Sequence, residues 1–236
     1  MKKFLFQVLV LFLLFQPLSV FSAEGDTYDF AWLDPDKEVY VLQNRKYRKA
    51  GRLHAYLGGG KTLSGAFVDA TTLQARVGYF IKEEWGFEGV YAKNSGSENI
   101  TAKSVRDNGA GVGSRPFRRI TDGYLGAMFL WSPFYSKINT FNTIIYYDWI
   151  FGVGYGQLQE TNNLNEFQQI GFTGDETLTH NGFIWDIGLM IYINQMMSLR
   201  IDITAFHYKA ASPDVVINEE LWNDNFDLSF SFGLNF

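Results

Sequence analysis

Between Phe226 and Phe236 the sequence alternates without a break. Phe226, Leu228, Phe230, Phe232, Leu234 and Phe236 are apolar, and Asp227, Ser229, Ser231, Gly233 and Asn235 between them are small or polar. Successive side chains of a strand point to opposite faces, so this stretch as a strand has one wholly apolar face. As a helix it scatters its phenylalanines around the circumference. A soluble sheet that exposes so long an apolar strand invites edge-to-edge aggregation. A closed transmembrane β-barrel has no such edge, and it turns the apolar face to lipid. The feature therefore predicts the last strand of a membrane barrel.

The start of the chain is consistent with export. Met1-Lys2-Lys3 is followed by an apolar run from Phe4 to Phe15, broken at Gln16-Pro17. This reads as a secretory signal peptide over 1–23, cleaved after Ser22 or Ala23 and too short for a spanning helix. About 210 residues remain, enough for one domain. The chain has no cysteine, which excludes a disulfide framework and thiolate metal sites. A net charge of −5 argues against nucleic acid as a partner.

The expected organisation is a periplasmic extension over 24–50 and a barrel over 51–236. In the extension Asp34-Pro35-Asp36 marks a turn and Val39–Leu42 a short strand or staple. The basic run Arg45–Lys49 reads as a solvated segment at the periplasmic rim, or as a contact for anionic headgroups. Period-two patterning then places strands at Gly51–Gly60, Thr71–Ile81, Trp85–Asn94, Arg119–Trp131, Asn139–Gly156, Gly182–Ile193, Ser198–Lys209 and Phe226–Phe236. Lys82–Glu84, Pro133–Ser136 and Asn194–Met197 are expected as short turns. Ser95–Arg118, Gln157–His180 and Ala211–Asn225 are expected as long loops. Short turns on one side and long loops on the other is the outer-membrane pattern. The predicted fold is all-β: an eight-stranded antiparallel up-and-down transmembrane barrel with short periplasmic turns and long extracellular loops. The phase of the fourth strand is open, because Tyr124, Met128 and Leu130 are apolar as well as Leu125, Ala127, Phe129 and Trp131.

Several motifs occur in a recognisable order. They are Leu42–Arg45, Lys49–Arg52, Phe67–Asp69, Gly78–Phe80, Glu83–Gly86, Trp131–Lys137 and the later Asp148. The set resembles the outer-membrane β-barrel domain proteins of myxobacteria and Bdellovibrio-like bacteria. That resemblance implies a small outer-membrane barrel and no particular activity. The closing segment also resembles a C-terminal sorting signal, carried by Phe230, Phe232, Leu234 and Phe236. This implies recognition by the barrel assembly machinery.

The residues opposite the lipid-facing set include Arg52, His54, Arg76, Glu88, Asp148, Asp186, Arg200, Asp202 and Asp227. Eight strands leave an interior just wide enough for side chains. Charges of both signs in so narrow a space are expected to pair, filling the lumen with an ion-pair network. A narrow pore for ions or small solutes is the alternative. An outer-membrane lipid-modifying enzyme is a third reading; it rests on His207 with Ser212 and Asp214 nearby in sequence, against a simple interfacial role for His207. No catalytic set, metal-spaced histidines or cofactor motif is expected: Gly111-Val112-Gly113 and Gly58–Lys61 lack the rest of a phosphate loop. The expected partners are outer-membrane lipids and lipopolysaccharide, with a homo-oligomer through the lipid-facing Trp149 and Trp185 also open.

Overall fold

The computed structural model describes residues 45–65, 67–108, 116–140, 143–167, 174–214 and 219–236. The expected signal peptide, the extension as far as Asn44 and the glycines at 111–113 lie outside the described residues. Eight strands form one closed antiparallel barrel, each paired with its neighbours in sequence and the first with the last. They are β1 (Arg52–Thr62), β2 (Val68–Phe80), β3 (Trp85–Glu98), β4 (Arg119–Thr140), β5 (Thr143–Asn162), β6 (Glu176–Tyr192), β7 (Met197–Ala211) and β8 (Glu220–Asn235). Two short helices, α1 (Ile100–Asn108) and α2 (Leu164–Phe167), sit in the connections at the loop end. Leu53 and Phe236 exchange both backbone hydrogen bonds where the barrel closes.

The register fixes the shape. Trp85 pairs in turn with Trp131, Phe151, Ile187, Ile203, Leu228, Lys61 and Thr71 around the ring, and Thr71 pairs with Ser95. One circuit thus returns to β3 ten residues further on, a stagger that tilts the strands by about 40°. At that tilt the apolar stretch of β8 rises about 25 Å, the height of a barrel's lipid-facing band.

The outward face is apolar as expected. Phe230 and Phe236 are 52% and 60% exposed, and Leu57, Leu73, Val77, Tyr91, Leu125 and Val153 extend the band around the barrel. Trp85 stacks on Phe129 and Trp131 at its turn end. The fourth strand takes the phase with Leu125, Phe129 and Trp131 outward and Tyr124, Met128 and Leu130 buried.

Four expectations are corrected. Pro133–Ser136 is no turn: β4 continues through it to Thr140, with a register shift between Trp131 and Phe134. Proline has no N–H to donate, and here it lies beyond Trp85, the first residue of β3, and within the register shift against β5, so no ladder bond requires one. The β4–β5 hairpin consequently overhangs the turn end. The connection expected at Gln157–His180 is shorter, since β5 runs to Asn162 and β6 begins at Glu176. His180 is therefore a strand residue and does not end a loop. The stretch after Asn94 continues β3 to Glu98 and then forms α1.

Gly233 shows how tightly the closing seam is packed. A Cβ there would lie 2.2 Å from the ring of Tyr56, whose hydroxyl is 2.6 Å from Ser198 Oγ. Replacing Gly233 with valine forces that ring off its partner. We expect a loss of about 2–3 kcal/mol, read as a lower urea midpoint for unfolding from lipid vesicles followed by tryptophan fluorescence.

Candidate functional site

The alternation that turns phenylalanines outward turns β1, β2, β7 and β8 side chains of the other phase into the lumen, and at mid-height these are polar. At mid-height two guanidiniums face three carboxylates. Arg76 Nη1 donates to Glu88 Oε1 at 2.9 Å, and its Nη2 donates to Asp186 Oδ1 at 2.9 Å and Thr204 Oγ1 at 2.6 Å. Arg200 donates to Asp202 Oδ1 at 2.5 Å, Glu88 Oε2 at 2.6 Å and Asp186 Oδ2 at 2.8 Å. His54 Nε2 lies 2.9 Å from Glu88 Oε2. Both arginines are fully buried, so their charges are neutralised by these carboxylates and not by solvent.

The opposite wall is mostly apolar. Val90, Leu130, Ile150, Ile184 and Met190 are buried there inside the barrel and pack together, with Phe206 of β7, as its hydrophobic core. The plug is therefore a charged cluster pressed against an apolar wall.

Of the nine residues expected inside, His54, Arg76, Glu88, Asp186, Arg200 and Asp202 form this one cluster. Asp148 and Asp227 are buried elsewhere in the lumen. Arg52 is not part of any interior network. It stands at the first position of β1, and its guanidinium donates to the Gln195 carbonyl in the β6–β7 turn at 3.0 Å, where its charge stays at the surface.

The turn-end mouth is sealed by residues read from sequence as a solvated basic run. Lys49 is 4% exposed. Its ammonium pairs with Asp148, donates to Ser132 Oγ at 2.5 Å and lies 5.0 Å from the centroid of the Phe80 ring. Burial pushes the Lys49 ammonium below the usual lysine range, and Asp148 opposes that shift. Tyr192 also donates to Asp148, and its ring stacks on Tyr47 at 4.9 Å. A lysine with an unpaired carboxylate within reach gains more by entering the mouth than by staying in water, and nothing in the run itself signals that. Near the loop end Glu160 takes the corresponding part. Arg119 Nε lies 2.9 Å away, Tyr208 donates to it at 2.8 Å, and Asn162 at 2.9 Å. Glu160 has the phase of Asp148 on β5; carrying that strand past Gly156 would have found it.

His207 is on the outward face. Its Nε2 accepts from Trp185 Nε1 at 2.7 Å, so its proton is on Nδ1, 2.5 Å from Asp224 Oδ1. The acid beside it is Asp224 of β8 and not Asp214, because β7 and β8 pair His207 with Asp224. With Nε2 engaged by an indole, this histidine has no free base to offer a nucleophile. Among the described residues no group of three or more His, Cys, Asp and Glu side chains is arranged to hold a metal ion.

No protein-family model matches the chain, and no curated protein matches it. Among solved structures it is similar to the N-terminal β-barrel domain of Pseudomonas aeruginosa OprF, at 8% identity and a TM-score of 0.46 over 79% of this chain and 98% of that one. It is also similar to OprG of Pseudomonas aeruginosa, at 11% identity and a TM-score of 0.45 over 82% of this chain and 99% of that one. Neisserial surface protein A matches at 13% identity and a TM-score of 0.43 over 78% of this chain and 94% of that one. A shared path of strands does not carry a function with it.

Glu88 is the shared partner of His54, Arg76 and Arg200. Glu88→Gln leaves buried guanidinium charge under-compensated and should cost about 3–5 kcal/mol. Thr204→Val removes a neutral partner and should cost about 1 kcal/mol. Urea midpoints of the two variants in the same vesicles check the order; equal losses would show that the charges are not what holds the cluster.

Proposed function

We propose that this chain is a small integral protein of the bacterial outer membrane whose barrel is a closed scaffold, with a structural or surface-interaction role. The observation that carries the reading is the mid-lumen cluster: Arg76 and Arg200 reach across to Glu88 and Asp186, and no side chain in the cluster is solvent-exposed. An eight-stranded interior filled in this way has no room for a solute at that height. The turn end, with Lys49 seated in its mouth, faces the periplasm, and the loop end faces outward.

Lipopolysaccharide is the partner that the outward face fits. Lys61, Lys93 and Lys209 are exposed on the lipid-facing phase of β1, β3 and β7, just beyond the apolar band toward the loop end. Ammonium groups at that level meet the phosphates of outer-leaflet lipid. The apolar side of β8, from Phe230 to Phe236, is what the barrel assembly machinery would read. The role assigned here needs no catalytic step.

Two measurements test it. Cell fractionation should place the protein in the outer membrane, with faster gel migration unboiled than boiled. Purified protein in planar bilayers should give no discrete channel events. Reproducible unitary openings from the wild-type monomer would instead establish the narrow-pore reading.

A further inference from the structure

Asp227 is the exception in an otherwise paired interior. Among the described residues every other fully buried lumenal carboxylate has a cationic side chain within 4.0 Å: Glu88, Asp148, Glu160, Asp186 and Asp202. Asp227 is 0% exposed, and among the described residues neither of its oxygens makes a well-formed hydrogen bond or an ion pair. The groups that approach it are neutral: Thr62, Tyr124, Asn225 and Asn94. An isolated carboxylate moved from water to a dry interior costs on the order of 20 kcal/mol by simple solvation arguments, so its charge has to be met by something.

The surroundings say what. Asn94 Oδ1 and Thr72 Oγ1, both buried, have no hydrogen-bond partner either. They belong to the same part of the lumen. Thr62 pairs with Asp227 in the β1–β8 register, and its hydroxyl accepts from Asn94 Nδ2 at 3.3 Å; Thr72 pairs with Asn94 in the β2–β3 register. Gly60, between Thr72 and Ser229 in register, lies close against the β8 backbone at Leu228 and Ser229. The result is a neutral, oxygen-rich surround with a single formal negative charge, in which the amide nitrogens of Asn94 and Asn225 also stand and Asn225 Nδ2 is unpaired too. Oxygen donors of this kind suit hard cations, and one carboxylate matches a monovalent ion, since calcium sites gather several.

We propose that the outer half of the lumen is a dead-end binding site for an alkali cation, with Asp227 as its charged ligand. Access is from the loop end. A cavity of about 320 Å³ opens there between Phe67, Phe117 and Arg118, and its lining reaches Thr62 and Asn225. Thr62 is the cross-strand neighbour of Asp227, and Asn225 precedes it on the same face of β8. Below Asp227 the Arg76–Arg200 cluster blocks further passage. The ion therefore binds without crossing, which keeps this site independent of whether the barrel conducts.

The test compares heat unfolding, followed by the gel-mobility shift, in sodium chloride and in N-methylglucamine chloride at equal ionic strength and neutral pH. Wild type should unfold at a higher temperature in sodium. The folded-to-unfolded ratio should gain roughly 100-fold where sodium stands 100-fold above its dissociation constant. Asp227→Asn should unfold at one temperature in both salts. If that variant does not fold, Asn94→Leu and Thr62→Val, which leave the formal charge unchanged, should each reduce the sodium effect. Equal wild-type midpoints in the two salts overturn the proposal, as does a sodium effect that survives in Asp227→Asn. An infrared carbonyl band of a protonated carboxylic acid, present in wild type in sodium and lost in Asp227→Asn, would assign the neutralisation to a proton. Stabilisation by calcium at far lower concentration than sodium would overturn the monovalent assignment.

Discussion

The pairing of β1 with β8 is the constraint on which the other features depend. In hydrocarbon every backbone N–H and C=O must find a partner within the protein, so a sheet can span only if its first strand meets its last. They meet at one register, His54 with Asn235 through Thr62 with Asp227, and Leu53 exchanges backbone bonds with Phe236. A slip of one residue would turn Phe230 and Phe232 into the lumen and Ser229 and Asp227 to lipid. The alternation of β8 thus stabilises one closure and penalises the neighbouring ones.

Closure leaves a narrow interior, and the chain fills it asymmetrically. The wall of β3 to β6 supplies Val90, Leu130, Ile150, Ile184 and Met190; the wall around the seam supplies His54, Arg76, Arg200 and Asp202. Paired ions cost less to bury when their partners are fixed, and Glu88 on β3 and Asp186 on β6 reach out of the otherwise apolar wall to supply those partners. Lys49 with Asp148 and Arg119 with Glu160 repeat the arrangement near the two ends.

This asymmetry explains what the sequence could reveal. Wherever inside and outside differ in polarity, strand and phase were legible: His54 and Arg76 against Leu53 and Val77, Arg200 and Asp202 against Leu199 and Ile201. On β4 both phases are apolar, because Tyr124, Met128 and Leu130 face the hydrophobic core, so alternation carried no signal there. Pro133 read as a turn because its local preference is real; only the start of β3 at Trp85 and the register shift against β5, facts of pairing, make it tolerable within a strand. Lys49 read as solvated because its partner Asp148 lies 99 residues away. Arg52 shared the inward phase but, at the strand's first residue, had a surface carbonyl within reach. Asp227 was correctly placed inside, yet its lack of a cation is a property of distances that no alternation encodes.

The ion pairs also act on the seam that permits them. Arg76 on β2 binds Asp186 on β6, and Arg200 on β7 binds Glu88 on β3, so both links pass across the lumen behind β1 and β8. Peeling the seam open would separate β2 from β7 and pull these pairs apart together. Backbone hydrogen bonds between β1 and β8 are each worth only about 1 kcal/mol net, and they are the ones a barrel lacks until its last step of assembly. A cluster whose members come from strands on both sides of the closure adds its energy only when the correct register is reached. The charges therefore do for the seam what the phenylalanines do for the membrane: one selects the surroundings, the other selects the register.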